Sequence, residues 1–335
     1  MTAPGLFAGL STFDVRRSSF LSSSFSLRHA LCPMRYASLP CSLLIPNPPS
    51  CILYLVSCIL HVSWKMTNLP IILAHGICPF HRLLPFSSCR DNGRDDRFHY
   101  FRKIRSTLMG SGFTVFHVGV GWSSSLEKRA LDLRNGILRV TDSFTRWPAV
   151  HIIAHSMGGL DARYMICRYR MEKSVVSLTT IGTPHLGTSY ADWGLRNFSF
   201  LIDLAGSLGL DLSGFRALAR LECERRNLAL ADYEEENGVV YRTVAGVQPR
   251  SRIFKHFHFA HGIVLSEEGE NDGLVSLKSA KWKEEYLLDI VDADHLNQIG
   301  WWDSAEASAG IGKEEFERSI REWYVRLAMG LKGLE

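Results

Sequence analysis

Short apolar runs alternate with longer segments in which apolar residues recur every three or four positions, from Leu69 onward. The short runs predict six buried strands, at 70–74, 113–118, 150–154, 175–181, 239–245 and 286–291. The longer segments predict amphipathic helices at 98–109, 126–144, 157–169 and 314–331. Strands that alternate with helices form a mostly parallel sheet with helices on both faces, so we expect an α/β fold.

Residues 189–236 interrupt this alternation, because helical segments follow one another there without a strand between them. The first half of the stretch carries a series of large apolar side chains: Phe198, Phe200, Leu201, Leu204, Leu208, Leu210 and Phe215. We interpret the stretch as a helical cap inserted over one end of the sheet. Its apolar side chains either line a ligand site beneath the cap or pack inside the insertion itself.

The first 65 residues differ from the rest in composition. They hold six of the twelve prolines and twelve serines, with no sustained helical or strand period. They also carry five basic residues and one acidic residue, whereas residues 66–335 hold 33 of each, so the whole formal charge of +4 lies in the first segment. This composition is typical of a mitochondrial transit peptide. Alternatively, because Met66 directly precedes the first regular element, translation starts there and residues 1–65 are a non-native extension.

We therefore expect a disordered or targeting extension at residues 1–65 and one folded domain at residues 66–335. The protein is expected inside the cell. It would be mitochondrial if the extension is a transit peptide, and cytoplasmic if translation starts at Met66.

The composition excludes several classes of protein. No apolar run reaches the 18 or so residues that a membrane-spanning helix needs. The neutral balance of residues 66–335 lacks the basic face of a nucleic-acid-binding protein, so we expect no nucleic-acid partner. The eight cysteines are too sparse for a disulfide framework and show no metal-ligand spacing, which favours free thiols in a reducing compartment. We predict neither a metal nor a cofactor.

The strongest chemical signal is the segment Val150–Gly159, which reads VHIIAHSMGG. A buried strand runs into Ser156 and a helix follows, which is the context of a nucleophile elbow. The residues two before and two after such a serine must be small, and Ala154 and Gly158 meet this requirement. Ala154 stands where glycine is usual. We predict that Ser156 is a nucleophile.

A serine nucleophile needs a base, which is usually a histidine held by a carboxylate. The histidines downstream of Ser156 are His185, His256, His258, His261 and His295. His295 directly follows the last predicted strand, where a loop can reach back over the carboxyl edge of the sheet. The three at 256–261 lie in a predicted loop and fit surface or structural positions. His295 is therefore the candidate base.

The candidate acid is Asp272, in the turn sequence Asn271-Asp272-Gly273. Such a turn presents a side chain at a defined point. Asp292 and Asp294 are rivals because they are close to His295 in sequence, although the orienting acid normally comes from a different loop.

Two backbone N–H groups are expected to bind the oxyanion of a tetrahedral intermediate. One belongs to Met157, the residue after the nucleophile. The other belongs to Ile77, in the loop after the first strand, where Gly76 allows the backbone to turn in closely.

Six segments together resemble the α/β-hydrolase-fold lipases, close to the bacterial triacylglycerol lipases and their fungal relatives. They are PIILAHG at 70–76, HYFRKIRSTL at 99–108, AHSMGGLDARY at 154–164, TIGTPHLG at 180–187, EEGENDGLVS at 267–276 and DHLNQIGW at 294–301. The resemblance implies an α/β-hydrolase catalytic domain with Ser156 as nucleophile, Asp272 as acid and His295 as base. It also implies that Ile77 and Met157 form the oxyanion hole, and that TIGTPHLG lies beside the nucleophile.

The resemblance implies a serine hydrolase that cleaves carboxylic esters of lipids through an acyl-enzyme. Its expected partner is a lipid or other ester, with peripheral contact to a membrane or lipid-droplet surface. A phospholipase, thioesterase or acyltransferase with the same triad is an alternative, and a non-catalytic binding protein of the same fold is another. Asn297 stands where the bacterial lipases carry a calcium-binding aspartate, so the calcium is not carried over. No cysteine pair matches their frequent disulfide.

Overall fold

The structure is a computed structural model of the 335-residue chain, and it describes residues 69–77, 92–93, 95–207 and 211–334. The side chains of residues 199–207 are outside this description. The expectations for residues 1–65 therefore lie outside the described residues, as do those for the side chains of Phe200, Leu201, Leu204, Leu208 and Leu210. The domain boundary after residue 65 stays a prediction.

All six predicted strands are present, and every pairing between them is parallel. They are β1 (Ile71–Ala74), β2 (Val115–Val118), β3 (Val150–His155), β4 (Val175–Ile181), β5 (Val240–Gly246) and β6 (Leu287–Val291). Their order across the sheet is β2-β1-β3-β4-β5-β6. Because all the strands run in one direction, the segments that follow them emerge at the same edge. This edge is called the carboxyl edge below.

Helices connect the strands, as the sequence predicts for an α/β fold. They are α1 (Ile104–Gly110), α2 (Leu126–Val140), α3 (Met157–Arg168), α4 (Ser189–Ser207), α5 (Arg220–Glu236), α6 (His258–Glu268), α7 (Leu277–Lys281), α8 (Ser304–Ser308) and α9 (Lys313–Met329). Helices α4 and α5 occupy the stretch predicted as a helical insertion, and the described residues between them form no strand. Helix α4 is broken at Phe198, where φ is −134°.

Two hydrophobic cores cover the two faces of the sheet. Ile71 and Leu73 of β1 face one core, where Leu108 of α1 and Tyr324 of α9 are buried. Their neighbours Ile72 and Ala74 face the other core, which is built on α2 and α3. This alternation follows from the two-residue period of a strand. It confirms helices on both faces of the sheet.

The helix predicted at residues 98–109 begins only at Ile104. The backbone carbonyl of Asp96 accepts hydrogen bonds from the N–H groups of His99 and Lys103. These bonds hold the aromatic residues between them in turns, and Tyr100 and Phe101 are fully buried. Lys103 then adopts a left-handed conformation with φ 56° just before the helix. Tertiary burial of the aromatic residues therefore overrides the helical period there.

Two further boundaries differ from the sequence prediction. The helix predicted to reach Phe144 ends at Val140, because the Thr141 hydroxyl donates to the Ile137 carbonyl and residues 142–144 all have positive φ. The loop predicted around His256–His261 contains helix α6, which starts at His258. His261 lies on this helix and is buried, so it is not a surface residue.

A buried ion pair joins the insertion to the helix that follows Ser156. Arg163 of α3 donates from Nε to Glu234 Oε1 at 2.7 Å and from Nη2 to Glu234 Oε2 at 2.8 Å. The same guanidinium donates to Asn227 of α5, and it lies 3.7 Å from the centroid of the Trp282 ring. Both partners of the pair are almost completely buried. Removal of either would leave the other charge unpaired inside the protein.

We expect Glu234→Ala to lower the free energy of unfolding by about 3 kcal/mol, because it leaves the Arg163 guanidinium buried without its partner. The control is Glu222→Ala, which breaks the exposed pair with Arg225 on the same helix and should cost less than about 1 kcal/mol. Urea unfolding monitored by tryptophan fluorescence measures both. Equal losses in the two variants would contradict the role assigned to the buried pair.

Candidate active site

Ser156 stands at the turn from β3 into α3, with φ 55° and ψ −132°. A positive φ is rare and strained for a residue with a side chain, and it is a feature of a nucleophile elbow. The neighbouring strand holds the turn in place: the Ser156 N–H donates to the Ile181 carbonyl at 2.9 Å. The Thr183 hydroxyl also donates to the Ser156 carbonyl at 2.8 Å. The TIGTPHLG segment therefore does lie beside Ser156.

Two glycines allow the backbone to pack closely around this turn. A Cβ on Gly158 would lie 2.6 Å from the Ala74 carbonyl oxygen, so only glycine lets α3 approach the end of β1 this closely. A Cβ on Gly76 would lie 2.7 Å from the Cβ of Ser156. The loop after β1 therefore passes directly against the Ser156 side chain.

The structure brings Asp272 and His295 into a direct hydrogen bond. His295 Nδ1 lies 2.7 Å from Asp272 Oδ2, and both residues are buried. A second bond joins their backbones, since the His295 N–H donates to the Asp272 carbonyl at 2.9 Å. The other carboxylate oxygen, Oδ1, accepts the N–H groups of Leu274 and Val275 at 3.0 and 2.8 Å. Asp272 is thus the carboxylate that orients the imidazole.

His295 lies in the loop after β6, at the same carboxyl edge as Ser156. Its ring centroid is 4.5 Å from that of His155, the residue directly before Ser156. The elements after β3, β5 and β6 therefore bring Ser156, Asp272 and His295 to one place, in the chain order nucleophile, acid, base. Their catalytic roles are taken up below as a proposal.

The two rival carboxylates have other partners. The Asp292 side chain is mostly exposed and pairs with Arg252. Asp294 is fully buried and accepts three backbone N–H bonds within 3 Å, from Leu296 and Asn297 to Oδ1 and from Phe254 to Oδ2. Burial raises the pKa of Asp294 to about 7, although the N–H groups of Asn297 and Phe254 act to lower it. Asp294 therefore ties the His295 loop to the segment after β5.

Three of the remaining histidine candidates have other partners. His185 is buried against Arg163, and burial together with that positive charge lowers its pKa well below the usual value. His258 bonds to the Ile253 carbonyl through Nε2 at 2.9 Å. His256 contacts the ring of Phe254. Each of these contacts fits a structural histidine rather than a base.

The loop after β1 is held by the side chain of His75. The Val120 N–H donates to His75 Nε2 at 3.1 Å, so the ring carries its proton on Nδ1, which donates to the Gly76 carbonyl at 2.7 Å. In a trans peptide the carbonyl and the next N–H point in opposite directions. Because the Gly76 carbonyl points toward the His75 ring, the Ile77 N–H points away from that ring. Ile77 and Met157 also pack in one small apolar cluster.

A buried ion pair supports the same loop from the other side. Arg129 of α2 binds both carboxylate oxygens of Asp161 on α3, and its Nη2 donates to the His75 carbonyl at 2.9 Å. Burial raises the pKa of Asp161, while the charge of Arg129 acts to lower it. The sequence offers no direct signal for this pair, because its partners lie on different helices within ordinary amphipathic patterns.

Sequence reasoning also missed three side chains beside the Asp272–His295 pair. The Tyr100 hydroxyl lies 2.7 Å from His155 Nδ1, and Gln298 Nε2 donates to Asp272 Oδ2 at 2.8 Å. Burial lowers the pKa of His155 well below its usual value, as does the proximity of His295. All three residues fall within the motif segments quoted above. Their place in these segments could have singled out Tyr100, His155 and Gln298 from the sequence. Their roles, however, depend on contacts between distant parts of the chain.

Metal-ligating side chains do not cluster in the part of the chain that the structure describes. There, no group of three or more histidine, cysteine, aspartate or glutamate side chains could hold a metal ion. The Asn297 side chain donates to the Trp301 carbonyl at 2.8 Å. None of the described helices is both long enough and apolar enough to cross a bilayer.

Comparison with known proteins agrees with the fold described above. The sequence model of the family described as "Putative serine esterase (DUF676)" matches residues 133–282. Triacylglycerol lipase 2 of Saccharomyces cerevisiae is 28% identical over 273 residues, which are 71% of this chain and 82% of the yeast protein. A triacylglycerol lipase of Burkholderia plantarii is 28% identical over 137 residues, or 39% of this chain and 34% of that lipase.

Two solved structures share the fold. The metagenomic carboxyl esterase MGS0156 superposes with a TM-score of 0.59 and 18% identity, over 77% of this chain and 74% of that one. The Bacillus licheniformis lipase BlEst2 in its mature form gives a TM-score of 0.53 and 20% identity, over 68% and 85%. The chain therefore has an α/β-hydrolase fold, as predicted. Its predicted resemblance to bacterial and fungal triacylglycerol lipases is confirmed.

The close approach of Gly76 to Ser156 predicts that Gly76→Ala lowers the reactivity of the serine. The added methyl group would displace the Ser156 side chain, and a displacement of about 1 Å can cost roughly a hundredfold in rate. The rate of covalent labelling by a fluorophosphonate probe measures this effect. Gly110→Ala is the matched control, because a Cβ there meets nothing within 4 Å. Equal labelling rates in both variants would refute the proposed contact.

The raised pKa of Asp294 predicts that the free energy of unfolding depends on pH. Its pKa is raised from 3.8 to about 7 in the folded protein. The folded state therefore holds this proton more tightly than the unfolded chain does, and its contribution to the free energy of unfolding falls as pH rises through that range. Asp294→Asn should be less stable, since its amide cannot accept at both oxygen positions, and should show a flatter pH profile. Urea titrations at pH 5 and 7.5 test this, with exposed Asp292→Asn expected to keep the wild-type slope.

Proposed function

We propose that this chain is a serine hydrolase that cleaves carboxylic esters of lipids through an acyl-enzyme, with Ser156, His295 and Asp272 as its triad. One observation carries the proposal. The 2.7 Å bond from His295 Nδ1 to Asp272 Oδ2 lies beside the strained turn at Ser156. A base oriented by a buried carboxylate, next to a serine on a strand-to-helix turn, is the arrangement that acyl transfer requires.

In the first half-reaction, Ser156 Oγ forms a bond to the ester carbonyl carbon while its proton moves to His295 Nε2. The carbonyl π electrons move onto the oxygen, and the N–H groups of Ile77 and Met157 bind the resulting oxyanion. One such donor typically contributes about 3 kcal/mol to transition-state stabilisation. Asp272 stabilises the imidazolium. The carbon–oxygen bond to the alcohol then breaks, the alcohol leaves with the proton from His295, and the acyl group stays on Ser156.

In the second half-reaction, water takes the place of the alcohol. Its oxygen attacks the acyl carbonyl while His295 Nε2 accepts one of its protons. The second tetrahedral intermediate uses the same oxyanion donors. Its collapse breaks the bond to Ser156 Oγ, which recovers its proton from His295, and the carboxylic acid leaves. The enzyme then returns to its starting state.

A cavity lies next to the apolar cluster that contains the proposed oxyanion donors, although most of the residues that line it are polar or charged. It has a volume of about 650 Å³ and lies between the start of α2 and the two insertion helices α4 and α5. Leu126 and Ala217 line this cavity and also belong to the apolar cluster of Ile77 and Met157. We propose that an acyl chain extends from Ser156 along this apolar cluster, with the insertion as its wall.

An aromatic cluster supports peripheral contact with a lipid surface. The Trp193 ring of α4 lies 5.5 Å from the Phe198 ring and 4.8 Å from the Phe259 ring of α6, between centroids. Phe198 and Phe259 are 45% and 57% exposed. Helices α4 and α6 follow the carboxyl ends of β4 and β5, so the cluster lies toward the edge that carries Ser156. Exposed apolar groups of this kind are typical of surfaces that bind partners or membranes.

A phospholipase, thioesterase or acyltransferase would use the same triad, so the choice among them depends on the leaving group and the acceptor. The relatives named triacylglycerol lipase favour a neutral lipid ester and water. Product analysis with triacylglycerol, phospholipid and acyl thioester substrates separates these activities. The location in mitochondria or cytoplasm stays a proposal that depends on residues 1–65.

Ser156→Ala should lower kcat for p-nitrophenyl butyrate and tributyrin by at least about 10⁴-fold, because the loss of a triad nucleophile removes the covalent route. It should also abolish covalent labelling by a fluorophosphonate. Ser308→Ala is the control, since that exposed hydroxyl bonds only within α8. Wild-type hydrolysis in the Ser156→Ala protein would overturn the proposed function.

A further inference from the structure

We propose that Gln298 is a positioning residue for the Asp272–His295 pair, an inference that rests on the proposed function. Gln298 lies three residues after His295, in the one-turn 3₁₀ helix Asn297–Ile299. Its side chain reaches back into the protein and donates from Nε2 to Asp272 Oδ2 at 2.8 Å. This is the same oxygen that accepts the bond from His295 Nδ1 at 2.7 Å.

The amide completes the set of donors around the Asp272 carboxylate. Two backbone N–H groups bind Oδ1, while the imidazole and the Gln298 amide bind Oδ2. An ionised carboxylate offers about four lone-pair positions, and each of these is occupied. These four hydrogen bonds prevent the carboxylate from rotating. They also keep Oδ2 in position to accept the hydrogen bond from His295.

A slot shaped by two glycines receives the Gln298 amide. Gly182 follows β4 and Gly246 ends β5, so both lie at the carboxyl edge of the sheet. A Cβ on Gly182 would stand 2.3 Å from Gln298 Oε1, and a Cβ on Gly246 would stand 2.1 Å from Nε2. No other residue type could stand at either position unless the amide moved away. The backbone at the ends of two central strands therefore accommodates this side chain.

The backbone of Gln298 is held independently of Asp272. The Gln298 N–H donates to the Asp294 carbonyl at 3.0 Å, and the Tyr324 hydroxyl of α9 donates to the Gln298 carbonyl at 2.9 Å. Tyr324 is itself fully buried in the core beneath α9. The amide is therefore anchored to the core, and Asp272 is oriented from that anchor.

This arrangement has a consequence for the proton transfer. When His295 takes the proton of Ser156, the imidazolium is stabilised by a carboxylate whose position is already fixed. Preorganised charge of this kind lowers the barrier without reorganisation during the reaction. Loss of the Gln298 donor should therefore slow the chemical step and leave substrate binding unchanged.

The test compares Gln298→Leu with wild type in steady-state hydrolysis of p-nitrophenyl butyrate. Leucine fills much of the slot but donates no hydrogen bond. We expect kcat to fall roughly ten- to hundredfold while KM stays within about twofold, since a small misplacement of catalytic groups has effects of this size. Gln298→Met is the second variant, because it nearly keeps the length of the side chain and has no hydrogen-bond donor. Its kcat should fall at least as far.

Gln248→Leu is the matched control. Gln248 is also a buried glutamine, and its Nε2 donates to the Asp292 carbonyl and to Glu306, without contact to the Asp272 side chain. It should lose stability and keep its kcat. If both Gln298 variants kept the kcat of Gln248→Leu, Gln298 would only fill the slot and the inference would be wrong.

A second readout reports on the Asp272–His295 bond without turnover. The Nδ1 proton of His295 should give a low-field proton resonance that is absent from His295→Ala. We expect this resonance to move in Gln298→Leu and to stay in place in Gln248→Leu, and an unmoved resonance in both would overturn the inference. Wild-type hydrolysis that persists in Ser156→Ala would instead refute the proposed function, and the resonance would still test the role of Gln298.

Discussion

The tight turn from β3 into α3 at Ser156 is the constraint on which the rest of the site depends. A positive φ at Ser156 is maintained only because the surroundings hold it: the Ile181 carbonyl and the Thr183 hydroxyl bind its backbone. Gly158 allows α3 to press against the end of β1, and Gly76 lets the next loop pass over the serine. The strained turn, the adjacent strand and the candidate oxyanion loop are therefore one packed unit.

Buried polar groups orient the elements around this unit. Arg129 and Asp161 link α2 and α3 to the His75 carbonyl, and Arg163 and Glu234 link α3 to the insertion. Burying charges is expensive, and each of these is compensated by close pairing and further hydrogen bonds. On the other side of Ser156, the Asp272 carboxylate is satisfied by four donors. Both halves of the site are thus held by interactions that leave few alternative arrangements.

Local sequence patterns were sufficient to predict the strands and the order of the site residues along the chain. All six strands were predictable as short apolar runs bounded by turns, although Leu288 and Ile290 of the edge strand β6 are exposed rather than buried. The errors fell where tertiary contacts override local preference. The aromatic run before Ile104 is buried in turns instead of a helix, and the segment from His258 is a helix instead of a loop. The sequence favoured Asp272 because it stands in a separate turn from His295, but it left Asp292 and Asp294 open as rivals.

The sequence by itself determined the alternation of elements, the serine in its small-residue context, and the order of Ser156, Asp272 and His295. These are properties of neighbouring residues, and local sterics and periodicity are enough to specify them. Only the tertiary structure decided which carboxylate contacts the imidazole, how His75 and Arg129 hold the candidate oxyanion loop, and that Gln298 shares the Asp272 oxygen with His295. Those contacts join residues far apart in the chain, so they depend on the register of the sheet and the packing at its carboxyl edge.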